Sequence, residues 1–257
     1  MELVIISSVA FIVAGITLFS GFGLGTILMP VFAVFFPVNI AIALTAVVHL
    51  INSIFRTIIL ARSADKNILL KFGVPAIFAA ILGAYVLSIV SGLDFLVKYQ
   101  VLGHEFEVLP VKFIIGVLIM VFVLLELTNS TKKITFDEKY LPLGGILSGF
   151  FGGLSGHQGV FRSAFLLQAN LSEKAFIASN TVIAVMVDII RLIVYGISFS
   201  TVEIINKFPV LLAASVAAIG GSLIGILFIK KVTIKIIRII VAIMLFGIAV
   251  ALLTGTA

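Results

Sequence analysis

Charged residues punctuate this chain only at wide intervals. After Glu2 the next charge is Arg56, so Leu3 to Phe55 is uncharged. One helix over Leu3–Phe35 would be about 50 Å long, against a bilayer hydrocarbon core of about 30 Å. The segment must therefore break or fold back. The break is legible in SGFGLGTILMP, Ser20 to Pro30, with Gly21, Gly23, Gly25 and Pro30. Apolar spans follow at about Val38–Leu60, Phe72–Val90, Val111–Leu127, Ala175–Phe199 and Phe208–Ile229, and a last one ends near Leu253. A polar loop is expected from Ser91 to Pro110. The stretch TNSTKKITFDEKY, Thr128 to Tyr140, reads as a linker between two halves. The second half opens on GGILSGFFGGLSGHQGVFRS, Gly144 to Ser163, with seven glycines, three serines, a histidine, a glutamine and an arginine in oily surroundings. Glycine is a poor helix former that permits close backbone approach, so this too predicts a broken helix. Unwound backbone survives in a bilayer only where protein or water satisfies its polar groups.

The halves read as a repeat. ALTAVVHLINSIFR (Ala43 to Arg56) lies over ASNTVIAVMVDIIR (Ala178 to Arg191) without a gap, and KFGVPAIFAAILG has a weaker echo in KFPVLLAASVAAIG. In each half a Gly-rich break precedes the Arg-ended span. If each break is a re-entrant hairpin, each half crosses three times and the halves are inverted. The loops Arg56–Lys71, Thr128–Tyr140, Ala169–Lys174 and Lys230–Arg238 then share one side, which carries most of the basic residues. Ser91–Lys112 and Phe199–Lys207 share the other, with three basic and four acidic residues. The positive-inside rule makes the first side cytoplasmic and places both termini outside. The expected fold is thus an all-α polytopic membrane protein of two inverted repeats. Each is a Gly-rich broken or re-entrant hairpin plus three transmembrane helices, over residues 1–127 and 141–257, joined by a cytoplasmic linker at 128–140.

Composition narrows the function classes. Hydrophobic residues make up 62% and charged residues 11% of 257, where a soluble domain carries roughly 25% charged. Mean hydropathy is +1.35. Nearly the whole length is membrane, with no room for a soluble catalytic domain. The absence of cysteine excludes disulfides, thiol chemistry and Cys-ligated metals. The net charge of +6 comes from residues that punctuate the spans, so it reads as a topology signal and not as a nucleic-acid surface. Met1 to Phe19 has no basic leader and its hydrophobicity does not stop, so it reads as a mature span.

Inverted repeats with broken helices are the plan of secondary transporters, with the site near the midplane where the breaks meet. Half-helix N-termini offer unpaired N–H groups and a positive dipole end, which suits an anion. The expected binding groups are Gly21, Gly23 and Gly25 in the first break. In the second they are Ser155, Gly156, His157, Gln158, Gly159 and Arg162. Thr45 and Asn180, equivalent in the repeat alignment, complete the set. Neither break contains a carboxylate, which argues against a dedicated cation site there. Plainer roles stay open. Arg162 can snorkel to the surface, and His157 can fill the bend as a neutral hydrogen-bonding residue. Asp188 and Arg191, three apart on one helix face, read either as a structural ion pair or as a proton relay. Thr45, His49, Asn52 and Asn180 can join helices by hydrogen bonds, and Gly220, Gly221 and Gly225 by close packing.

GFGLGTILMP and GGILSGFFGGLSGHQGVFRSAFL, each followed by a polar-dotted span, make the chain resemble the TauE/SafE sulfite exporter family, also called TSUP permeases. The first motif departs from that family's run of glycines, having Leu24 between Gly23 and Gly25, and Ala164 stands where Pro30 stands in the first half. The resemblance implies a cytoplasmic-membrane permease for a small sulfur-containing anion such as sulfite, a sulfonate or sulfoacetate. The expected partners are that anion, a proton or sodium as coupling ion, and the bilayer, with oligomers allowed and no cofactor, metal or nucleic acid. Two rivals remain: an anion channel, and an intramembrane serine protease built on Gly153-Leu154-Ser155-Gly156. The protease needs a histidine on another helix to take the serine proton, and His157, two residues away, is badly placed for that.

Overall fold

The computed structural model describes residues 1–17, 23–94, 96–101, 104–127, 137–198, 206–228 and 234–256. Ser20, Gly21, most of the linker at 128–140 and the Lys230–Lys231 pair lie outside the described residues. Among those described are ten α-helices and one two-stranded ribbon. The first half contains α1 (Glu2–Ile16), α2 (Leu24–Ala33), α3 (Val38–Leu60), α4 (Lys66–Ser91) and α5 (Pro110–Leu127). The second contains α6 (Leu141–Ser155), α7 (Gln158–Leu166), α8 (Glu173–Ser198), α9 (Phe208–Phe228) and α10 (Ile234–Thr254). Four of these, α3, α4, α8 and α9, are long and apolar enough to cross a membrane among the described residues. The protein is an all-α polytopic membrane protein.

The loop expected from Ser91 to Pro110 instead holds an antiparallel ribbon, β1 (Val97–Val101) with β2 (His104–Val108). Its sequence alternates Val97, Tyr99 and Val101 with Lys98 and Gln100, the period of a strand. Tyr99 stacks on its cross-strand partner Phe106 and donates its hydroxyl hydrogen bond to the Thr254 carbonyl, which ties the ribbon to the end of α10.

The helices pair in a regular order. α4 packs along α6, and α1 along α9; α3 packs on α8, and α5 on α10. The glycines of α6 explain the first pairing. A Cβ added to Gly145, Gly149 or Gly153 would enter the backbone of α4 at Phe72, Ala76 and Ala80 in turn. Glycine every fourth residue makes a groove for a neighbouring backbone. That close packing keeps a sequence of poor helix formers helical. Gly221 and Gly225 of α9 meet the carbonyls of Phe11 and Gly15 on α1 in the same way.

α7 folds back along α6. Gln158 lies against Gly152, and the Phe165 ring lies over Gly144. The Ser148 hydroxyl donates to the Gln158 carbonyl at 2.8 Å across this hairpin. The turn needs Gly156, whose φ of +82° is left-handed and strained for any residue with a Cβ. Gly149→Ala should lower the melting temperature measured by circular dichroism in detergent, because overpacking costs about 1–3 kcal/mol. Gly196→Ala, with nothing within 4 Å of an added Cβ, should hold or raise it.

Candidate functional site

The two breaks meet. A Cβ placed on Gly25, in the first turn of α2, would touch the Gly156 carbonyl oxygen at 3.3 Å and the His49 ring at 3.6 Å. Beside this contact is a polar cleft between the C-terminal half of α3 and the N-terminal part of α8. It is lined by His49, Ser53 and Arg56 of α3, Arg162 of α7, and Ile177, Asn180, Thr181 and Ala184 of α8. Gly23 and Leu24 close it with the start of α2, and Thr17 with the end of α1. The cleft and its mouth enclose about 360 Å³ of empty space, part of it open to solvent.

Its electrostatics are one-sided. Arg56 and Arg162 both face it, at 8% and 3% exposure. Among the described residues no carboxylate lines it. Arg162 is fixed by two bonds: its Nε donates to the Asn180 amide oxygen, and its Nη1 to Gln158 Oε1 at 2.6 Å. Gln158 passes the chain of bonds inward, its Nε2 donating to Asp188 Oδ1 at 2.8 Å. Asp188, at 0% exposure, also accepts from Arg191 Nε at 3.0 Å and pairs with Arg191 Nη2 at 2.8 Å. Its other oxygen, Oδ2, lies 2.5 Å from His49 Nδ1. Arg191 reaches the Gly152 carbonyl at 3.4 Å, and the Tyr195 hydroxyl donates to the Gly153 carbonyl. These two side chains of α8 thus satisfy carbonyls at the C-terminal end of α6.

The residues expected from the sequence therefore take different places. Gly23, Arg162 and Asn180 line the cleft. Gln158, Asp188 and Arg191 stand behind it in the hydrogen-bonded network. Gly25 and Gly156 form the contact between breaks, and Gly159 is buried in the first turn of α7. Thr45 is buried on α3 and is not among the cleft residues. His157 turns away, stacking on Phe122 at 4.9 Å between ring centres. Its Nδ1 lies 3.0 Å from Ser155 Oγ, closer than their spacing suggested, while that hydroxyl is also 3.0 Å from the Phe151 carbonyl, which accepts from it. Asn52 accepts from Ser222 of α9 at 2.8 Å, a helix-joining bond.

Sequence reasoning missed His49, Ser53, Arg56, Thr17 and Thr181 as cleft residues. Arg56 reads from the sequence as a charge closing its span, whereas it is buried inside the bundle. A signal was present: His49, Ser53 and Arg56 recur at helical spacing and fall on one face of α3.

The family described as Sulfite exporter TauE/SafE matches residues 6–252. The chain belongs to the TauE/SafE sulfite exporter family. No curated protein and no solved structure gives a significant match. As a TauE/SafE protein it is a multi-pass membrane protein of the sulfite-exporter permease type, a family of transporters and not of enzymes.

Removing one partner of a buried ion pair costs about 3–5 kcal/mol, because the other charge is left behind. Asp188→Ala and Arg191→Ala should each lower the melting temperature, and the double variant should lose less than the two losses added together. Strict additivity in thermal denaturation would contradict the pairing.

Proposed function

We propose that this TauE/SafE protein is a secondary transporter that carries a small sulfur-containing anion, such as sulfite, a sulfonate or sulfoacetate, across the cytoplasmic membrane by alternating access. The observation that carries this reading is the convergence of Arg56 and Arg162 on one cleft at the start of α2. Two buried guanidinium groups that face one cleft attract an anion, and their planar donors suit the oxygens of a sulfur oxoanion. Asn180, Thr181 and Ser53 add neutral groups able to donate hydrogen bonds. The first turn of α2 points its N-terminal end into the same space, which favours negative charge.

Alternating access draws support from the helix pairing. Matching α1–α5 with α6–α10 in order turns the α4–α6 contact into α9–α1, and leaves α3–α8 and α5–α10 mapped onto themselves. That exchange is what two-fold-related repeats give, and it supports reading residues 1–127 and 141–257 as inverted repeats. The cleft lies toward the end of the bundle that carries Arg62, Lys66, Lys71 and Lys174, the cytoplasmic side by the positive-inside rule. Toward the other end, Met29, Ile42, Ala46, Ala84, Leu87, Leu154 and Tyr195 pack as a buried apolar cluster. A cleft stopped by such a cluster favours a carrier over an open channel. In the carrier cycle the anion enters, is held by Arg56 and Arg162, and is released when the repeats rock and part the cluster.

Losing one charged hydrogen-bond donor costs about 1.5–3 kcal/mol, or about 10- to 150-fold in affinity. Arg56→Ala and Arg162→Ala should each weaken binding of the best of sulfite, thiosulfate, taurine and sulfoacetate by that factor in calorimetric titration. Arg162→Lys, which keeps the charge and loses the planar fork, should fall between. Wild-type affinity in both alanine variants would overturn the site.

A further inference from the structure

His49 has no role in the reading above beyond lining the cleft, and its geometry gives it one. Its Nδ1 lies 2.5 Å from Asp188 Oδ2, and the other oxygen of Asp188 is taken by Gln158 and Arg191. An ionised Asp188 accepts, so Nδ1 carries a hydrogen and the tautomer is fixed. The Cδ2 atom of the ring, next to Nε2, faces Gly25, and the ring lines the cleft. Among the described residues Nε2 has no hydrogen-bond partner. The side chain keeps 12% of its surface exposed, while Asp188 keeps none.

We propose that His49 is the proton site of the transport cycle: its Nε2 takes a proton from water in the cleft when the anion binds, and the two cross the membrane together. This rests on the transport reading and names its coupling ion. Neutral His49 turns a lone pair toward the cleft, which repels an anion's oxygen. Protonated His49 turns an N–H donor toward it, which attracts the same oxygen. Anion and proton therefore strengthen each other's binding, and the coupling is reciprocal. Asp188 backs the site as a positioning residue. It steadies the imidazolium as the proton arrives, and both its oxygens are already engaged, so Nε2 is the open proton acceptor.

The surrounding charges fit this arrangement. Arg56 on α3, Arg162 on α7 and Arg191 on α8 all lie around the His49–Asp188 pair, and Tyr195 follows Arg191 one turn along α8. α2 and α9, packed against α3, carry no titratable side chain, and α5 carries Lys112 and Glu126 near its ends. Among the described residues around the pair, three arginines face one carboxylate, so positive charge is already in excess. A proton on His49 adds to that excess and is opposed by it. A bound anion offsets the repulsion, so proton and anion arrive as a pair. The balance is simple: one proton leaves cytoplasmic or external water for Nε2, and returns to water on the far side when the anion leaves.

The test is proton uptake on anion binding by the purified full-length protein in weakly buffered detergent solution, read with a pH indicator. Sulfite, thiosulfate and sulfoacetate are the probes, each compared between wild type and His49→Gln so that the probe's own protonation cancels. The wild type should take up as much as about one proton per anion more than the variant. Binding with equal proton uptake in both proteins overturns the proposal. So does wild-type binding of thiosulfate or sulfoacetate without proton uptake, a result that needs no variant to fold. Binding of none of the probes defeats the transport reading itself, and the coupling with it.

Discussion

A carboxylate taken out of water into a membrane protein's interior costs several kcal/mol unless opposite charge and hydrogen bonds surround it. Asp188 is buried in that way, and the elements that satisfy it come from three parts of the chain. His49 reaches it from α3, Gln158 from the start of α7, and Arg191 from its own helix. This network anchors the turn of the α6–α7 hairpin through Gln158. Gln158 in turn holds Arg162, and Arg162 holds Asn180, so the cleft's charged wall is positioned from behind by the same carboxylate. Moving Asp188 would therefore displace Gln158 and, through it, Arg162 at the cleft wall.

The second constraint is close packing. The α6–α7 hairpin packs its backbone against α4 through Gly145, Gly149 and Gly153. Side chains of α8 add bonds at its tip, Arg191 to the Gly152 carbonyl that already accepts from the Gly156 N–H, and Tyr195 to the Gly153 carbonyl. The same glycines that weaken the helix locally thus permit its tertiary stabilisation. Glycine at 156 then allows the sharp reversal that carries Gln158 to Asp188.

Much of this was legible in the chain. The Gly144–Ser163 stretch announced a broken helix, and Gly-rich composition with Ser148 and Gln158 inside it is what the hairpin uses. Arg162 and Asn180 were readable as cleft residues because they are polar groups in otherwise apolar spans. Arg56 was hidden, because Arg62, Lys66 and Lys71 follow it and make it look like the first of a loop cluster. Only the packing of α3 against α8 shows that it points inward. His157 misled in the opposite sense: it sits in the most polar part of the motif, yet its ring belongs to an aromatic cluster with Phe122, Phe151 and Phe161. The ribbon at Val97–Val108 was missed because a long apolar membrane background hides a short period-2 pattern. Its placement depends on a partner, the end of α10, more than 140 residues away.

The central claim is that the Arg56–Arg162 cleft is where the transported anion sits. The chain has no cysteine, so a single introduced thiol reports from one place without background. Ser53→Cys in the cleft wall, reacted with a membrane-impermeant maleimide in vesicles of known orientation, measures this directly. The account predicts labelling from the cytoplasmic side that saturating transported anion suppresses. Labelling that proceeds at the same rate with the site saturated would contradict it.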